Sequence, residues 1–571
     1  MKRYFFTLVL LSVVWIPFFG TTGDELRERI YMQTDKQSYL AGEQIRMKLI
    51  TFDMAQNPLV FSKVAYAELV GDSIAKAQVK VALTDGVGEG HMLLPVDLPT
   101  GYYRLIAYTQ YMRNESAAIF FEKIIGIVNT FQPDYDPETA KAAHTAHTDL
   151  QSMDTPTNIP NAQFSTFNFQ LSTLKPVYST REHGELLLSG LPATLHTLSV
   201  SIAGKELPTP NSPFSTPNSQ FSTPNSQFSG DYLPEYEGHI ITGTLINNQT
   251  GKAERGDDVI IPALSFPGEG INFFTGEKSE TGDIRFFTSG NNETKEIATI
   301  VYNAGDKYRI DVQSPFVTRF LPVSTPVLYI DSACYDQLLE RSVALQASHY
   351  FLNDTLENQY MPEPFFQLIP KNSYPLDEYT RFTTMREVFV EFIASARFRR
   401  REDNQELSVF VRRGNKSYYG SNTLVFLDGA PISNHELIYN YDPLVVEYIN
   451  IYNDLLILGG NTFEGVVELK TYRGLMQDIV FNKSTQIITY EGPQKGEKFI
   501  SPDYSDEKNR ISRIPDGRHT LLWNADIQTG GQTAIRLPFD TSDLTGEFNA
   551  TVEGITQDGE IIVATTSFTV K

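Results

Sequence analysis

Apolar and polar residues alternate along most of the chain, between closely spaced turn residues. The segments Gln44–Phe52 and Tyr102–Tyr108 show this period of two, and similar segments recur at 163–171, 195–202, 238–246 and 560–570. A period of two places one face of a strand in a core and the other in solvent. The pattern predicts a mainly β protein that contains several β-sandwich domains in tandem.

One stretch has a helical period instead. Thr384 precedes Glu387 by three residues, which is the spacing of a capping box, and apolar residues then form a single stripe from Met385 to Ala396. We predict a helix here, within a small α+β domain at 375–475. The basic run Arg397–Arg401 follows, and we interpret it as cations that offset the helix dipole. A contact with an anionic sugar or phosphate is the alternative.

The N-terminus has the pattern of a secretory signal. A basic start is followed by an apolar run over 4–19 and by small residues before Asp24. This predicts a signal peptide at 1–23, with a membrane anchor as the alternative. The single cysteine, Cys334, excludes an internal disulfide and a zinc site built from cysteines. An exported chain without disulfides is typical of a bacterial envelope.

Charge narrows the range of partners. The 69 acidic residues outnumber the 47 basic ones, which gives a formal net charge of −22. Because this balance repels polyphosphate, we expect no binding to nucleic acid.

A short tandem repeat interrupts the strand pattern. The heptad at 215–221 recurs at 222–228, and its prolines exclude a coiled coil, so we predict a linker. The predicted division is a signal peptide (1–23), a first sandwich (24–130), a connector with a second sandwich (131–205), the repeat linker (206–232), a third sandwich (233–320), connecting strands (321–374), the α+β domain (375–475) and a C-terminal sandwich (476–571).

The first sandwich resembles the MG2 domain of α2-macroglobulin-like proteins, over 31–43 and 100–114. The resemblance implies sandwiches of immunoglobulin or macroglobulin type. Asp35 and Gly42 fit turns at the two ends of a short strand, and Gly101 fits a strand start. Ala41 stands where a macroglobulin thioester needs cysteine, so no thioester forms there. The positions that we call the MG2-like motif are Tyr31, Asp35, Tyr39, Gly42, Gly101 and Tyr102.

Residues 380–475 resemble the plug domain of TonB-dependent outer-membrane receptors, through 424–431, 442–451 and 465–471. Too few residues follow Arg473 for a barrel of ~22 strands with ~10 residues each. Residues 238–315 loosely resemble the carboxypeptidase-regulatory-like sandwich, and the combination resembles a group of exported Bacteroidetes proteins. The positions that we call the plug-like motif are Asp428, Gly429, Asp442, Pro443, Glu447 and Gly465.

Candidate chemistry is sparse. His144 and His147 with Asp149 suggest a metal site, but they lie in a polar connector, where solvated side chains are the simpler interpretation. His435 and His519 are isolated, and neither HExxH nor Gly-x-Ser-x-Gly occurs. We therefore predict no catalytic residue, cofactor or metal.

These observations predict a non-enzymatic binding or scaffold protein of a Gram-negative envelope, in the periplasm or associated with the outer membrane. Its expected partner is an outer-membrane or surface protein, and a glycan or peptide is a further candidate ligand. The alternatives are an accessory or gate of a separate TonB-dependent transporter, and a hydrolase with an unrecognised site. The oligomeric state is left open.

Overall fold

The computed structural model describes most of the chain. The described residues are 27–55, 57–131, 169–205, 228–254, 260–268, 270–288, 296–320, 327–352, 369–402, 405–413, 417–418, 422–474, 476, 479–557 and 561–571. The predicted signal peptide, the connector with His144 and His147, and most of the repeat linker lie outside these residues.

The described residues are mainly β, as the alternating pattern predicted. The described strands that precede residue 335 are β1 (Arg29–Thr34), β2 (Ser38–Leu40), β3 (Gln44–Phe52), β4 (Val64–Gly71), β5 (Ile74–Ala82), β6 (Val87–Leu93), β7 (Gly101–Tyr108), β8 (Phe121–Val128), β9 (Gln170–Thr173), β10 (Val177–Tyr178), β11 (His183–Ser189), β12 (Leu195–Gly204), β13 (Ile240–Asn247), β14 (Ile261–Ser265), β15 (Phe273–Thr275), β16 (Glu277–Lys278), β17 (Asp283–Phe287), β18 (Glu296–Tyr302) and β19 (Tyr308–Val312). The later strands are β20 (Asn372–Pro375), β21 (Ala396–Arg400), β22 (Leu407–Arg413), β23 (Ser417–Tyr418), β24 (Leu424–Leu427), β25 (Ala430–Ile432), β26 (Val446–Leu458), β27 (Asn461–Thr471), β28 (Gln486–Thr489), β29 (Thr520–Asn524), β30 (Ala534–Asp540), β31 (Gly546–Thr556) and β32 (Ile561–Val570). The α-helices among the described residues are α1 (Tyr335–Leu352), α2 (Met385–Glu391), α3 (Glu436–Tyr439) and α4 (Glu507–Arg510).

The first and second sandwiches have the same topology. The first pairs a sheet of order β1-β3-β6 with one of order β2-β8-β7-β4-β5. The second pairs β9-β11-β30 with β10-β32-β31-β12-β29, which corresponds strand for strand. In both, the short second strand runs parallel to the last strand, while every other pairing is antiparallel. The chain therefore contains one β module twice.

The second module is divided along the chain. Its strand β12 ends at Gly204 and pairs with β29, which begins at Thr520. The corresponding strands of the first module, β4 and β5, are joined by the tight turn at Asp72 and Ser73. All of residues 205–519 thus stand in the place of one hairpin turn.

This topology corrects the predicted division of the chain for two domains. Residues 131–205 and 476–571 do not hold two separate sandwiches, because strands of both ranges share the same two sheets. Alternation along a strand shows which face is buried but not which strand lies beside it. The range 476–571 also supplies β28, which pairs with β18 of the third sandwich. That sandwich has the sheet orders β16-β17-β13-β19 and β15-β14-β18-β28.

Residues 372–471 contain a mixed sheet of order β20-β26-β27-β24-β25 and a smaller sheet of order β21-β22-β23. We call this region the plug-like domain, after the resemblance noted above. Its β24 is parallel to β27, and the other pairings are antiparallel. Helix α2 has the predicted capping box, in which Thr384 and Glu387 bond each other's backbone amide. The helix is shorter than the apolar stripe, because Phe392 already caps it.

The basic run Arg397–Arg401 does not end a helix. Residues 396–400 form β21, which pairs with β22, so the interpretation as cations at a helix terminus is wrong. Arg401 follows the strand and donates to Ser408 Oγ at 2.9 Å. The stripe at helical spacing continued past the helix because Ile393 and Ala396 also enter the core of this domain.

The longest described helix, α1, lies where connecting strands were predicted. Its buried positions are Leu338, Arg341 and Ser342, with Leu345 partly buried beside them. These positions have helical spacing. Two of the four are polar, however, so the stripe was not visible as a hydrophobic pattern.

We predict that the N-terminal half of the second module cannot hold its structure alone. A chain that ends after residue 490 keeps β28 but lacks β29 to β32, so β11 and β12 lose their long-range partners. We expect amides of β11 and β12 to exchange hydrogen as fast as in an unfolded chain, as measured by mass spectrometry. Amides of β4 and β7 serve as the control and lose less protection, because all of their strand partners remain in the truncated chain. Unchanged protection of β12 would contradict the divided module.

Candidate functional site: buried junctions between the domains

The MG2-like motif lies where the first module meets the second. Tyr31 Oη donates to Glu553 Oε2 at 2.9 Å, and Thr520 Oγ1 donates to Asp35 Oδ2 at 2.9 Å. Asp35 also holds its own turn, because its Oδ1 accepts from Tyr39 Oη at 2.8 Å and from the Arg46 amide at 3.0 Å. The same carboxylate therefore shapes the motif and joins the two modules.

The remaining motif positions have local roles. Gly42 follows β2 with a φ of +88°, which a residue with a side chain adopts only under strain. Gly101 begins β7 as predicted, but a Cβ there would meet only Tyr103, at 3.9 Å, so the structure does not require glycine. Tyr102 is partly buried against a small cluster that includes Leu40 and Leu338. The MG2-like motif thus stabilises turns of the first module and contributes to its junction with the second module.

A buried ion triad fastens helix α1 to the motif. Arg341 donates to both oxygens of Glu43, from Nε at 2.7 Å and from a terminal nitrogen at 2.6 Å. Lys36 Nζ donates to the same carboxylate at 2.8 Å, and Arg341 also reaches the Ser38 carbonyl at 3.0 Å. Burial alone would raise the pKa of Glu43, but the two cations outweigh it and hold the pKa well below its ordinary value.

Further polar contacts extend this junction. Trp523 Nε1 donates to Glu89 Oε1 at 3.0 Å, and Lys48 Nζ donates to Thr197 Oγ1 at 2.5 Å. Burial lowers the pKa of Lys48 to about 8 and raises that of Glu553. Removing either partner of such a contact leaves a buried polar group unsatisfied, so the two modules stabilise each other's orientation.

The motif has a second copy that the sequence analysis missed. Thr173 Oγ1 donates to the Lys175 carbonyl, and the Lys175 amide donates to Tyr178 Oη. Thr34, Lys36 and Tyr39 make the same two contacts. Each lysine also pairs with a glutamate seven residues later, Glu43 in the first copy and Glu182 in the second. The spacing Thr-x-Lys-x-x-Tyr-x-x-x-Glu was the available signal.

A second junction joins the first module to the third sandwich. Tyr66 Oη donates toward Glu235 at 3.0 Å, and His239 Nδ1 lies 2.8 Å from the same carboxylate. His239 Nε2 hydrogen-bonds Tyr490, whose ring also lies 3.7 Å from Lys80 Nζ. Burial lowers the pKa of His239, and it lowers that of Lys80 to about 7. Nothing in the composition or spacing marked this group.

The plug-like motif provides the third junction. Asp428 and Gly429 form a turn with φ values of +50° and +82°. The Asp428 carbonyl accepts from the Gly268 amide at 3.1 Å, and Ser265 Oγ donates to the Gly429 carbonyl. The Asp428 carboxylate accepts from the Thr471 amide at 2.8 Å. The turn therefore docks into a loop of the third sandwich.

The sheet behind this turn is covered by the same neighbour. Leu424 and Phe426 of β24, with Phe463 of β27, share one apolar cluster with Phe273 and Ile300 of the third sandwich. The alternate residues of β24 enter the core under helix α2 instead. Since β24 is buried on both faces, the plug-like sheet is the middle layer between a helix and another sheet.

The other positions of the plug-like motif are separate from that turn. Asp442 caps the 3-10 helix Pro443–Val445, and Pro443 is buried in its first turn. Glu447 is exposed. Gly465 has a φ of +86°, and a Cβ there would lie 2.8 Å from Val411.

The two isolated histidines lie inside the structure. His435 is buried and accepts from the Val409 amide at 2.9 Å, and burial lowers its pKa to about 3. His519 is also buried, against Gly204, with a pKa lowered first by burial and then by Arg341. A neutral, enclosed imidazole packs as a core residue. None of the described helices is long and apolar enough to cross a membrane.

Comparisons with known proteins give only distant structural neighbours. No protein-family model and no curated protein matches the chain. A Salmonella α2-macroglobulin reacted with methylamine aligns at 8% identity and a TM-score of 0.24, over 95% of this chain and 39% of that chain. The elastase-activated Escherichia coli α2-macroglobulin aligns at 9% identity and a TM-score of 0.24, over 95% of this chain and 44% of that chain. The Yersinia pseudotuberculosis adhesin InvE aligns at 8% identity and a TM-score of 0.13, over 50% of this chain and 57% of that chain. The chain spans about two fifths of these macroglobulins, and such low scores support no functional conclusion.

The ion triad yields a prediction on stability. We expect Glu43→Gln to lower the free energy of unfolding by about 3–5 kcal/mol at pH 7, because it leaves two buried cations without a counter-charge. The control Asp311→Asn removes a half-exposed pair with Arg309 and should cost less than about 1 kcal/mol. Denaturant unfolding measures both.

The same variant has a predicted pH dependence. The pKa of Glu43 is lower in the folded chain than in the unfolded chain. Its ion pairs therefore contribute their full stabilisation above pH 4.5, the ordinary pKa of glutamate, and this contribution is lost as the pH falls below that value. The stability difference between the wild type and Glu43→Gln should therefore narrow as the pH falls below 4.5. A difference that stays constant down to the acid transition would contradict this assignment.

The docked turn yields a further prediction. A Cβ on Gly429 would lie 2.9 Å from the Gly268 amide nitrogen, whereas one on Gly460 would meet nothing within 4 Å. The two φ values are similar, +82° and +77°. Gly429→Ala should therefore cost about 1–3 kcal/mol more than Gly460→Ala in denaturant unfolding. Equal costs would show that the turn does not dock on backbone.

Proposed function

We propose that the chain is an exported, non-enzymatic binding scaffold of a Gram-negative envelope, and that it engages an outer-membrane or surface protein. The observation that carries this proposal is the use of both motifs in junctions. Asp35 of the MG2-like motif accepts a hydrogen bond from the second module, and Asp428 of the plug-like motif accepts one from the third sandwich. Glu43, next to Gly42 of the first motif, accepts from Arg341 of helix α1. Side chains used in this way fix the relative positions of the domains. A fixed array of sandwiches is suited to present edges and loops to a partner.

One end of the plug-like domain is the surface that we assign to the partner, and we call it the plug end. It consists of Leu444, Glu447 and Tyr472. Leu444 is 53% exposed and Tyr472 is 50% exposed, and the Tyr472 amide bonds the Val445 carbonyl. Tyrosine is one of the residues enriched in binding hot spots, and Leu444 adds exposed apolar surface to the same end of the domain.

An ion pair holds the plug end in place. Arg381 donates to Asp377 Oδ1 at 3.0 Å and to the Pro443 carbonyl at 3.1 Å. Asp377 also accepts from Tyr472 Oη at 2.5 Å. The tyrosine ring is therefore oriented before a partner arrives, which reduces the entropy lost on binding.

The two alternatives receive less support. A plug that gates a separate barrel would need its sheet free, yet Phe426 and Phe463 are packed against the third sandwich. The Glu235–His239 group is fully enclosed, so this acid–base pair gives the hydrolase alternative no support.

The test is capture from the native envelope. We expect the tagged mature chain to co-purify with an outer-membrane protein that mass spectrometry identifies. Leu444→Asp should abolish that capture, because it places a charge in the apolar contact. The control Ile511→Asp changes a residue that is 72% exposed at another site, and it should leave capture unchanged. A chain that emerges alone from every detergent extract would contradict the proposal.

A further inference from the structure

Three potential metal ligands converge on the second module. They are His183, Asp503 and Asp540, whose ligand atoms all lie within 4.8 Å of one another. His183 Nδ1 is 3.1 Å from Asp540 Oδ1. His183 and Asp503 are exposed, while Asp540 is buried.

The backbone fixes two of the three ligands. His183 begins β11 and Asp540 ends β30, and the two residues are direct partners in the antiparallel ladder. Cross-strand partners hold their Cβ atoms about 4.5–5.5 Å apart, so this pair is placed by the sheet itself.

The third ligand is placed by a buried neighbour. The Tyr504 amide donates to Asp540 Oδ1 at 3.1 Å, and Tyr504 Oη donates to Asp516 Oδ2 at 2.9 Å. These contacts anchor the segment beside the pair and position Asp503, the preceding residue. Asp503 Oδ1 accepts from Ser505, while Oδ2 makes no hydrogen bond among the described residues.

The module itself does not require this group. In the first module the corresponding ladder pair is Gln44 and Leu93, which cannot form such a site. Arg518 reaches Asp540 only through the backbone carbonyl, and its charge is paired with Asp516. The two carboxylates are thus available for a cation.

We propose that His183, Asp503 and Asp540 bind one divalent transition-metal ion, with Zn²⁺ as the best fit. One imidazole and two carboxylates suit zinc, with bonds of about 2.0–2.2 Å, whereas magnesium and calcium prefer oxygen ligands alone. Tetrahedral zinc with such bonds places ligand atoms about 3.3–3.6 Å apart. The ligand atoms here lie within 4.8 Å of one another, so a rotation of the exposed Asp503 side chain toward the other two completes the set. The ion would tie the segment that returns from the third sandwich to the second module.

Calorimetric titration of the metal-stripped mature chain with zinc chloride tests the site. We expect one saturable zinc ion per chain, and at least a tenfold loss of affinity in both His183→Ala and Asp503→Asn. The control His91→Ala removes a partly buried histidine near another carboxylate, that of Glu497 at 3.8 Å, and should not alter binding. Circular dichroism confirms that each variant is folded.

Three results would overturn the proposal. They are the absence of saturable zinc binding, equal affinity in His183→Ala and the wild type, and displacement of zinc by an equal concentration of calcium. In the first two cases the contact of His183 with Asp540 is a hydrogen bond only. Because the site lies apart from the plug end, its loss leaves envelope capture unchanged, and the two proposals fail independently.

Discussion

The rest of the structure depends on the pairing of β12 with β29 and β31. These strands lie far apart in sequence and adjacent in one sheet. The pairing completes the sheet of the second module. It also brings the chain back to the strand β12 from which it left, after the third sandwich and the plug-like domain. Both ends of the insertion are thereby fixed to one sheet.

Closure of that module creates the surface on which the first module rests. Ser201 Oγ of β12 bonds the Asp35 carbonyl at 2.5 Å, and Trp523 of β29 reaches Glu89. The contact is largely polar and buried, which makes its geometry specific, because a shifted arrangement would leave these groups unsatisfied. The Glu43–Arg341 pair adds helix α1 to the same region. We expect these buried charges to contribute more to the specific orientation of the modules than to net stability.

Much of the local structure could be predicted from the sequence. Alternation located the strands, and Thr384 with Glu387 located the capped helix, because both signals depend on nearby residues. The run Leu424–Leu427 holds a further signal that was not used above. Four consecutive apolar residues are typical of a strand buried on both faces, which is how β24 lies between α2 and the third sandwich.

The arrangement of the domains could not be predicted in this way. The second module is assembled from distant segments, and no local pattern specifies which strands pair. Helix α1 was missed because its buried face contains Arg341 and Ser342, whose partners belong to the first module. The Glu235–His239 group has no motif, since it exists only where two domains meet.

Differential scanning calorimetry of the chain tests most directly the central claim, which is that the first and second modules form one cooperative unit. The account predicts that both modules melt in a single transition in the wild type, with equal calorimetric and van't Hoff enthalpies for that transition. Separate melting of the first module in the wild-type chain would contradict it.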